Sequence, residues 1–178
     1  MPEIQRLDAG HAEALLRFER ANRTYFARYI PDRGDDFFAE FAARHAALLA
    51  EQATGGIHMH LLVDDDGAIL GRFNLVDVAD GGAELGFRVA EAATGRGVAT
   101  GAVRRICELA RDDYGLTRLF ARASLVNIGS LTVLRRNGFV AHGEVVLNGK
   151  PGVRLVRELA QAEVGTSVKC STTGGAAK

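Results

Sequence analysis

Ala93-Thr94-Gly95-Arg96-Gly97-Val98-Ala99-Thr100-Gly101 runs directly into an amphipathic stretch that reads as a helix. Gly95 and Gly97 lack the Cβ atoms that would hold a ligand off the backbone. A helix N-terminus adds unpaired N–H groups and a positive dipole end. Such a turn suits an anion, above all a phosphate or pyrophosphate. Just upstream, Ala83-Glu84-Leu85-Gly86-Phe87-Arg88-Val89 alternates like a strand and carries one carboxylate. Strand, glycine turn and helix together point to a phosphate-bearing cofactor beside a potential base.

Two other phosphate loops compete with this reading. A Walker A loop places Lys and then Ser or Thr after its last glycine, and neither follows here. The spacing Gly95-x-Gly97-x-x-x-Gly101 superficially suits a dinucleotide turn. That fold needs an acid at the end of the next strand, roughly 20 residues on. The chain there reads Leu116-Thr117-Arg118-Leu119.

Taken with its surroundings, the turn resembles the acyl-CoA pyrophosphate loop of the GNAT N-acetyltransferases, written Gln/Arg-x-x-Gly-x-Gly/Ala. Thr94-Gly95-Arg96-Gly97-Val98-Ala99 matches it except at the first position. Ala83-Glu84-Leu85-Gly86-Phe87 resembles the strand before that loop. Asn127-Ile128-Gly129-Ser130 resembles the Asn-x-x-Ser of the next crossover, and Val133-Leu134-Arg135-Arg136-Asn137-Gly138-Phe139 resembles the helix end Leu-x-x-x-Gly-Phe. The hairpin at Leu147-Asn148-Gly149-Lys150 resembles the RimJ/RimL branch, which acetylates protein N-terminal amines. The likeness spans roughly residues 4–160 and is specific over 83–139.

The resemblance implies acetyl-CoA as co-substrate, no metal, and direct transfer to an amine acceptor. The acceptor is expected to be a protein or peptide N-terminus. A small-molecule amine such as an antibiotic is the alternative within the enzyme class, and a noncatalytic acyl-CoA-binding module the alternative outside it. Backbone N–H groups of Gly95, Arg96, Gly97, Val98, Ala99 and Thr100 would hold the pyrophosphate, with Arg96 adding charge. By the same resemblance, the edge of Phe87, Arg88 and Val89 would pair with the pantetheine arm, and an N–H near Val89 would meet the thioester carbonyl. Glu84 is the candidate general base, its alternative being a strand carboxylate with a structural role. Ser130 is the candidate for stabilising the leaving thiolate, its alternative being a helix N-cap. Asn127 would bond the pantetheine amides or the loop backbone.

Composition narrows the class. Of 178 residues, 47% are apolar and 25% charged, ordinary for one globular domain. Lys+Arg and Asp+Glu both number 22, so no basic excess points to nucleic acid. No apolar stretch approaches the roughly 18 residues of a membrane span. Met1–Arg6 lacks a basic-then-apolar leader pattern. Cys107 and Cys170 form no framework, so a reduced cytoplasmic chain is expected, with Cys107 buried and unreactive. A homodimer is compatible with this composition.

The elements follow from periodicity and turn signals. Residues 3–8 read as a strand, and Asp8 as the cap of a helix over Ala9–Ala21 presenting Ala12, Leu15, Leu16 and Phe18. A helical region over Arg33–Thr54 carries Phe37, Phe38, Phe41, His45, Leu48 and Leu49, and Gly55-Gly56 ends it. Strands follow at His58–Val63, Ala68–Val76 and Ala83–Val89. Helix Val98–Tyr114 would bury Val98, Ala102, Val103, Ile106, Leu109 and Ala110, and lead to a parallel strand, Leu119–Ser124. Helix Ser130–Asn137 precedes a hairpin, Val140–Leu147 with Val153–Leu159, turning at Asn148-Gly149. The expected fold is α+β, a mixed and centrally parallel sheet of about seven strands with helices on both faces, over residues 1–160. Residues 161–178 are expected to be a disordered tail.

Three groups remain ambiguous in the sequence. His58 and His60 share one strand face and suit a metal, a substrate or plain packing. Tyr25, Phe26 and Tyr29 suit an acceptor pocket or the core. Arg135 and Arg136 suit an adenosine 3′-phosphate or a solvated helix face.

Overall fold

Apolar alternation along the strands decides which face each helix covers. In the computed structural model, which describes residues 1–160, seven strands form one sheet. They are β1 (Glu3–Arg6), β2 (His58–Val63), β3 (Ile69–Ala79), β4 (Gly82–Val89), β5 (Arg118–Ser124), β6 (Val140–Leu147) and β7 (Lys150–Glu158). Their spatial order is β1-β2-β3-β4-β5-β7-β6. Only β4 and β5 run parallel; the other adjacent pairs are antiparallel. The α+β expectation holds, and the tail from residue 161 lies outside the described residues.

Six helices flank the sheet: α1 (Ala12–Ala21), α2 (Arg23–Phe26), α3 (Asp35–Ala39), α4 (Phe41–Ala53), α5 (Val98–Asp112) and α6 (Ile128–Arg136). Residues paired in register share a sheet face. Phe73, Leu75, Ala83, Leu85, Leu119 and Ala121, each at most 3% exposed, make the face covered by α5. The helix buries Ala102, Val103, Ile106, Cys107 and Ala110 there, while Val98 and Leu109, expected inside, are half-buried. Burial pushes the Cys107 thiol up, as its expected inertness requires. The opposite face, with Met59, Arg72 and Asn74, is covered by α1 and α4. Gln52 fastens α4 there, donating to the Leu7 carbonyl and accepting from the Met59 N–H.

Several helix boundaries differ from expectation: Ala9–His11 is a 3₁₀ turn before α1, and α5 ends at Asp112 instead of Tyr114. The region over Arg33–Thr54 is two helices, interrupted at Glu40, where φ is −95° and ψ 12°. Phe37 still meets Phe41 edge-on and Phe41 stacks on His45 across the interruption, so the apolar period conceals it. The helix expected from Ser130 begins at Ile128. Its cap is Asn127, whose carboxamide oxygen accepts from the Ser130 N–H at 3.1 Å. The two-residue turn at Asn148-Gly149 (φ 51° and 75°) forms as expected.

Candidate active site

The glycine turn joins β4 to α5. Gly95 and Gly97 both adopt φ +74°, and a Cβ on either would point into open space. Gly97 is the N-cap of α5 and supplies no side-chain cap. Among the described residues, the N–H groups of residues 95–100 have no acceptor, and the first closing bond is Gly101 N–H to the Gly97 carbonyl, 3.0 Å. Six consecutive unpaired donors at a helix start offer a cradle suited to an anion. Thr94 turns its hydroxyl back onto the Glu91 carbonyl at 2.7 Å, and Arg96 donates to the Ala92 carbonyl at 2.9 Å. The cradle is therefore a backbone device, with Arg96 tethered beside it.

Immediately upstream the sheet splits. The β4–β5 ladder contains only Gly82–Arg118, Ala83–Leu119 and Glu84–Phe120, although β4 continues to Val89 and β5 to Ser124. On its other edge β4 stays paired with β3, and the Ala90 N–H donates to Leu70 at 2.8 Å. Alternation of antiparallel bonds turns the N–H groups of Leu85, Phe87 and Val89 the other way, into the fork. An extended amide-bearing arm leading away from the cradle fits this open strand edge. The residues present thus fit the acyl-CoA that the loop pattern implies.

Glu84 stands at the apex of the fork, on the face away from α5. Arg122 donates to its Oε1 at 2.8 Å, both side chains being partly solvated, and Oε2 has no partner among the described residues. Ser130 lies in the first turn of α6, on the β5 side of the fork. Its N–H is capped by Asn127 and it is not the N-cap; no described residue bonds its hydroxyl. Capping occupies the Asn127 oxygen, leaving its NH₂ available.

A cluster that sequence reasoning missed lies on the same face. Glu19 of α1, 2% exposed, accepts from Arg72 at 2.9 Å and from Arg88 at 3.3 Å. A signal was present: Glu19 falls one residue after Phe18 and four after Leu15 on the buried stripe of α1. A charge in that position needs a buried partner.

The remaining candidates are sorted by burial. Phe26 belongs to the core, Tyr25 is half-buried, and Tyr29 is 39% exposed. Arg135 and Arg136 are exposed; Arg136 lines an open cleft of about 430 Å³ with Arg104, Arg111 and Arg157. His58 stacks on Tyr114 at 3.7 Å, and His60 Nε2 lies 2.7 Å from the Tyr114 hydroxyl. Both histidines are buried under the end of α5, on the face opposite Glu84, and no metal-binding group of three occurs among the described residues. They are packing residues.

That burial has a pH consequence. Desolvation, then the neighbouring His58 and Arg6, pushes His60 down to about 4, so folded protein keeps it neutral while unfolded chain takes the proton near 6.5. The stability this neutral histidine permits is intact above 6.5 and falls away as pH drops towards 4. At pH 5 the loss is about 2 kcal/mol. Urea midpoints at pH 7 and pH 5 should drop less in His60→Gln than in wild type; equal drops would remove His60 as the cause.

The family model described as acetyltransferase (GNAT) domain matches residues 3–140. A probable N-acetyltransferase, YjcK of Bacillus subtilis (strain 168), is 25% identical over 156 residues, covering 82% of this chain and 86% of that one. The ribosomal-protein-S5-alanine acetyltransferase from Vibrio fischeri superposes with TM-score 0.82 at 19% identity, covering 89% of this chain and 93% of that one. Spermidine N-acetyltransferase from Vibrio cholerae, solved with CoA and spermine, gives 0.74 at 15% identity, over 89% and 95%. At these identities the two structural likenesses are likenesses of fold.

Proposed function

We propose that this chain, which belongs to the GNAT acetyltransferase family and so is an acetyl-CoA-dependent N-acetyltransferase, acts on the N-terminal amine of a protein or peptide in the manner of the RimJ/RimL branch. The observation that carries the reading is the fork itself: a carboxylate at its apex, outward-turned N–H groups along one arm, and an uncapped helix start beyond. Exposure of Tyr29 and Ile30, at 39% and 37%, supports an acceptor side open enough for a chain. No described helix is long and apolar enough to cross a membrane, and a cytoplasmic setting suits the reaction.

When bound, acetyl-CoA supplies an activated acyl group. Residues 95–100 would hold its pyrophosphate through backbone N–H groups. The outward N–H groups of Phe87 and Val89 would orient the arm, and that of Val89 would be the donor to its thioester carbonyl oxygen. The free Oε2 of Glu84 accepts the proton that the amine sheds, directly or through a water, and Arg122 fixes the carboxylate. The Ser130 O–H would donate a hydrogen bond to the leaving thiolate. Asn127 holds the turn from which Ser130 projects.

Glu84→Gln should lower kcat/KM on the order of 10²-fold, and most at low pH, where the amine is protonated. Ser130→Ala should lose rate evenly across pH, because its role concerns the leaving group. The measurement is kcat/KM against pH with one fixed peptide acceptor. If Glu84→Gln tracks wild type at every pH, the carboxylate is structural and positioning alone carries the rate. A screen of N-terminal peptides against small amines tests the acceptor class. Turnover confined to small amines would overturn the peptide assignment.

A further inference from the structure

Glu84, Gly86 and Arg88 succeed one another on one face of β4. Gly86 is exposed, and a Cβ built on it would meet nothing within 4 Å. The strand thus offers a bare strip about 13 Å long, with a carboxylate at one end and a guanidinium at the other.

Charge at the guanidinium end does not balance. Arg72 and Arg88 share the single carboxylate of Glu19, and Arg72 holds it at the shorter distance, 2.9 Å against 3.3 Å. Only Nη1 of Arg88 is engaged in hydrogen bonding by the described residues. The side chain stands 5.2 Å from the Phe26 ring centre and keeps 19% exposure, whereas Arg72 and Glu19 keep 6% and 2%. Arg33 lines a shallow depression of about 10 Å³ together with Arg88, Glu19 and Phe26, stacked 4.4 Å over Phe37 and without a carboxylate partner among the described residues. Among the neighbouring charges, Arg23 is held by two carboxylates, Asp32 and Asp35, while Glu91 lies 3.6 Å from Arg28 and Glu84 is met by Arg122. Beside the reacting end of the fork, Arg88 and Arg33 therefore keep N–H groups that no carboxylate among the described residues takes up, and burial lowers Arg88 to about 10 without discharging it at neutral pH.

We propose that Arg88, with Arg33 above it, binds a carboxylate carried by the acceptor close to its amine. The acceptor is then a peptide N-terminus with an acidic residue beside it, or a free amino acid, and not a polyamine. A guanidinium fork matches a carboxylate in two parallel bonds. The same two guanidinium groups repel the several ammonium groups of a polyamine, which discriminates by cost as well as by attraction. This inference rests on the acetyl-transfer reading and names the substrate class of that same site.

The test uses the full-length protein and thiol release from acetyl-CoA, with Ser-Glu-Ala, Ser-Gln-Ala, Ser-Lys-Ala, free glutamate and spermidine as acceptors. The expected order of kcat/KM is acidic over neutral peptide by about tenfold or more, carried in KM, with the basic peptide and spermidine lowest. Glutamate against Ser-Glu-Ala separates the two carboxylate sources. Arg88→Gln should bring the Glu-to-Gln ratio to about one, and Arg88→Lys should restore part of it. Equal rates with Glu and Gln peptides, or a preference for spermidine, overturn the proposal while leaving acetyl transfer standing. A wild-type preference that persists in Arg88→Gln overturns the assignment to Arg88. Absence of turnover with every amine, while acetyl-CoA still binds, overturns the transfer reading and this one with it. The wild-type series decides the substrate class even where the variant fails to fold.

Discussion

Gly97→Val should weaken acetyl-CoA binding by well over tenfold while the protein remains folded. Two effects add. Valine at φ +74° is strained, at a cost of about 1–2 kcal/mol or more for a β-branched residue. Its branched side chain also projects into the open space through which an anion reaches the N–H groups of residues 95–100. Because an added Cβ meets no protein atom within 4 Å, the fold should tolerate the change and the ligand should not. Calorimetric titration with acetyl-CoA, beside a thermal melt, makes the comparison. Unchanged affinity would remove the cradle from the site.

Glu19→Ala should be the most damaging single change to stability. Glu19 is 2% exposed and is the shared acceptor of two guanidinium groups, one of them 6% exposed. Removing one member of a buried ion pair leaves the remaining charge uncompensated, at a cost of about 3–5 kcal/mol. In a domain of this size that corresponds to a fall in Tm on the order of 10 °C. Urea unfolding of wild type, Glu19→Ala and Glu19→Ala/Arg72→Met should show the double variant recovering part of the loss, since an apolar replacement removes the orphaned charge. A single variant within about 1 kcal/mol of wild type would mean that water solvates the cluster.

What could be read in advance was what is local. The glycine turn, the Asn148-Gly149 hairpin and the cap Gly138 each declare themselves within a few residues, because backbone sterics at positive φ admit few alternatives. The parallel β4–β5 pairing followed from the length of α5, and the burial of Cys107 from its helix face. The interruption at Glu40 was invisible because Phe37, Phe41 and His45 keep one spacing straight across it. The start of α6 was misplaced because Asn127 and Ser130 are both good caps, and only the hydrogen bond between them tells which one caps. In the site, backbone elements were legible and side-chain partnerships were not. Glu19 meets Arg72 and Arg88 across 53 and 69 residues, and Glu84 meets Arg122 across 38. Nothing in local spacing encodes such meetings; strand register does.

The early end of the β4–β5 ladder bears on how the folded protein holds together. Three residue pairs join the β1–β4 meander to the β5–β7–β6 leaf, with α5 as a strap over the seam. The arm of a bound acyl-CoA is expected to lie where a further strand would pair and so to bridge the seam. Cofactor supply is then a mechanical variable as well as a chemical one. Bound acetyl-CoA is expected to stabilise this fold across its middle, by the ordinary coupling of ligand concentration to folding free energy. Without the ligand, amide exchange is expected to be least protected along that seam.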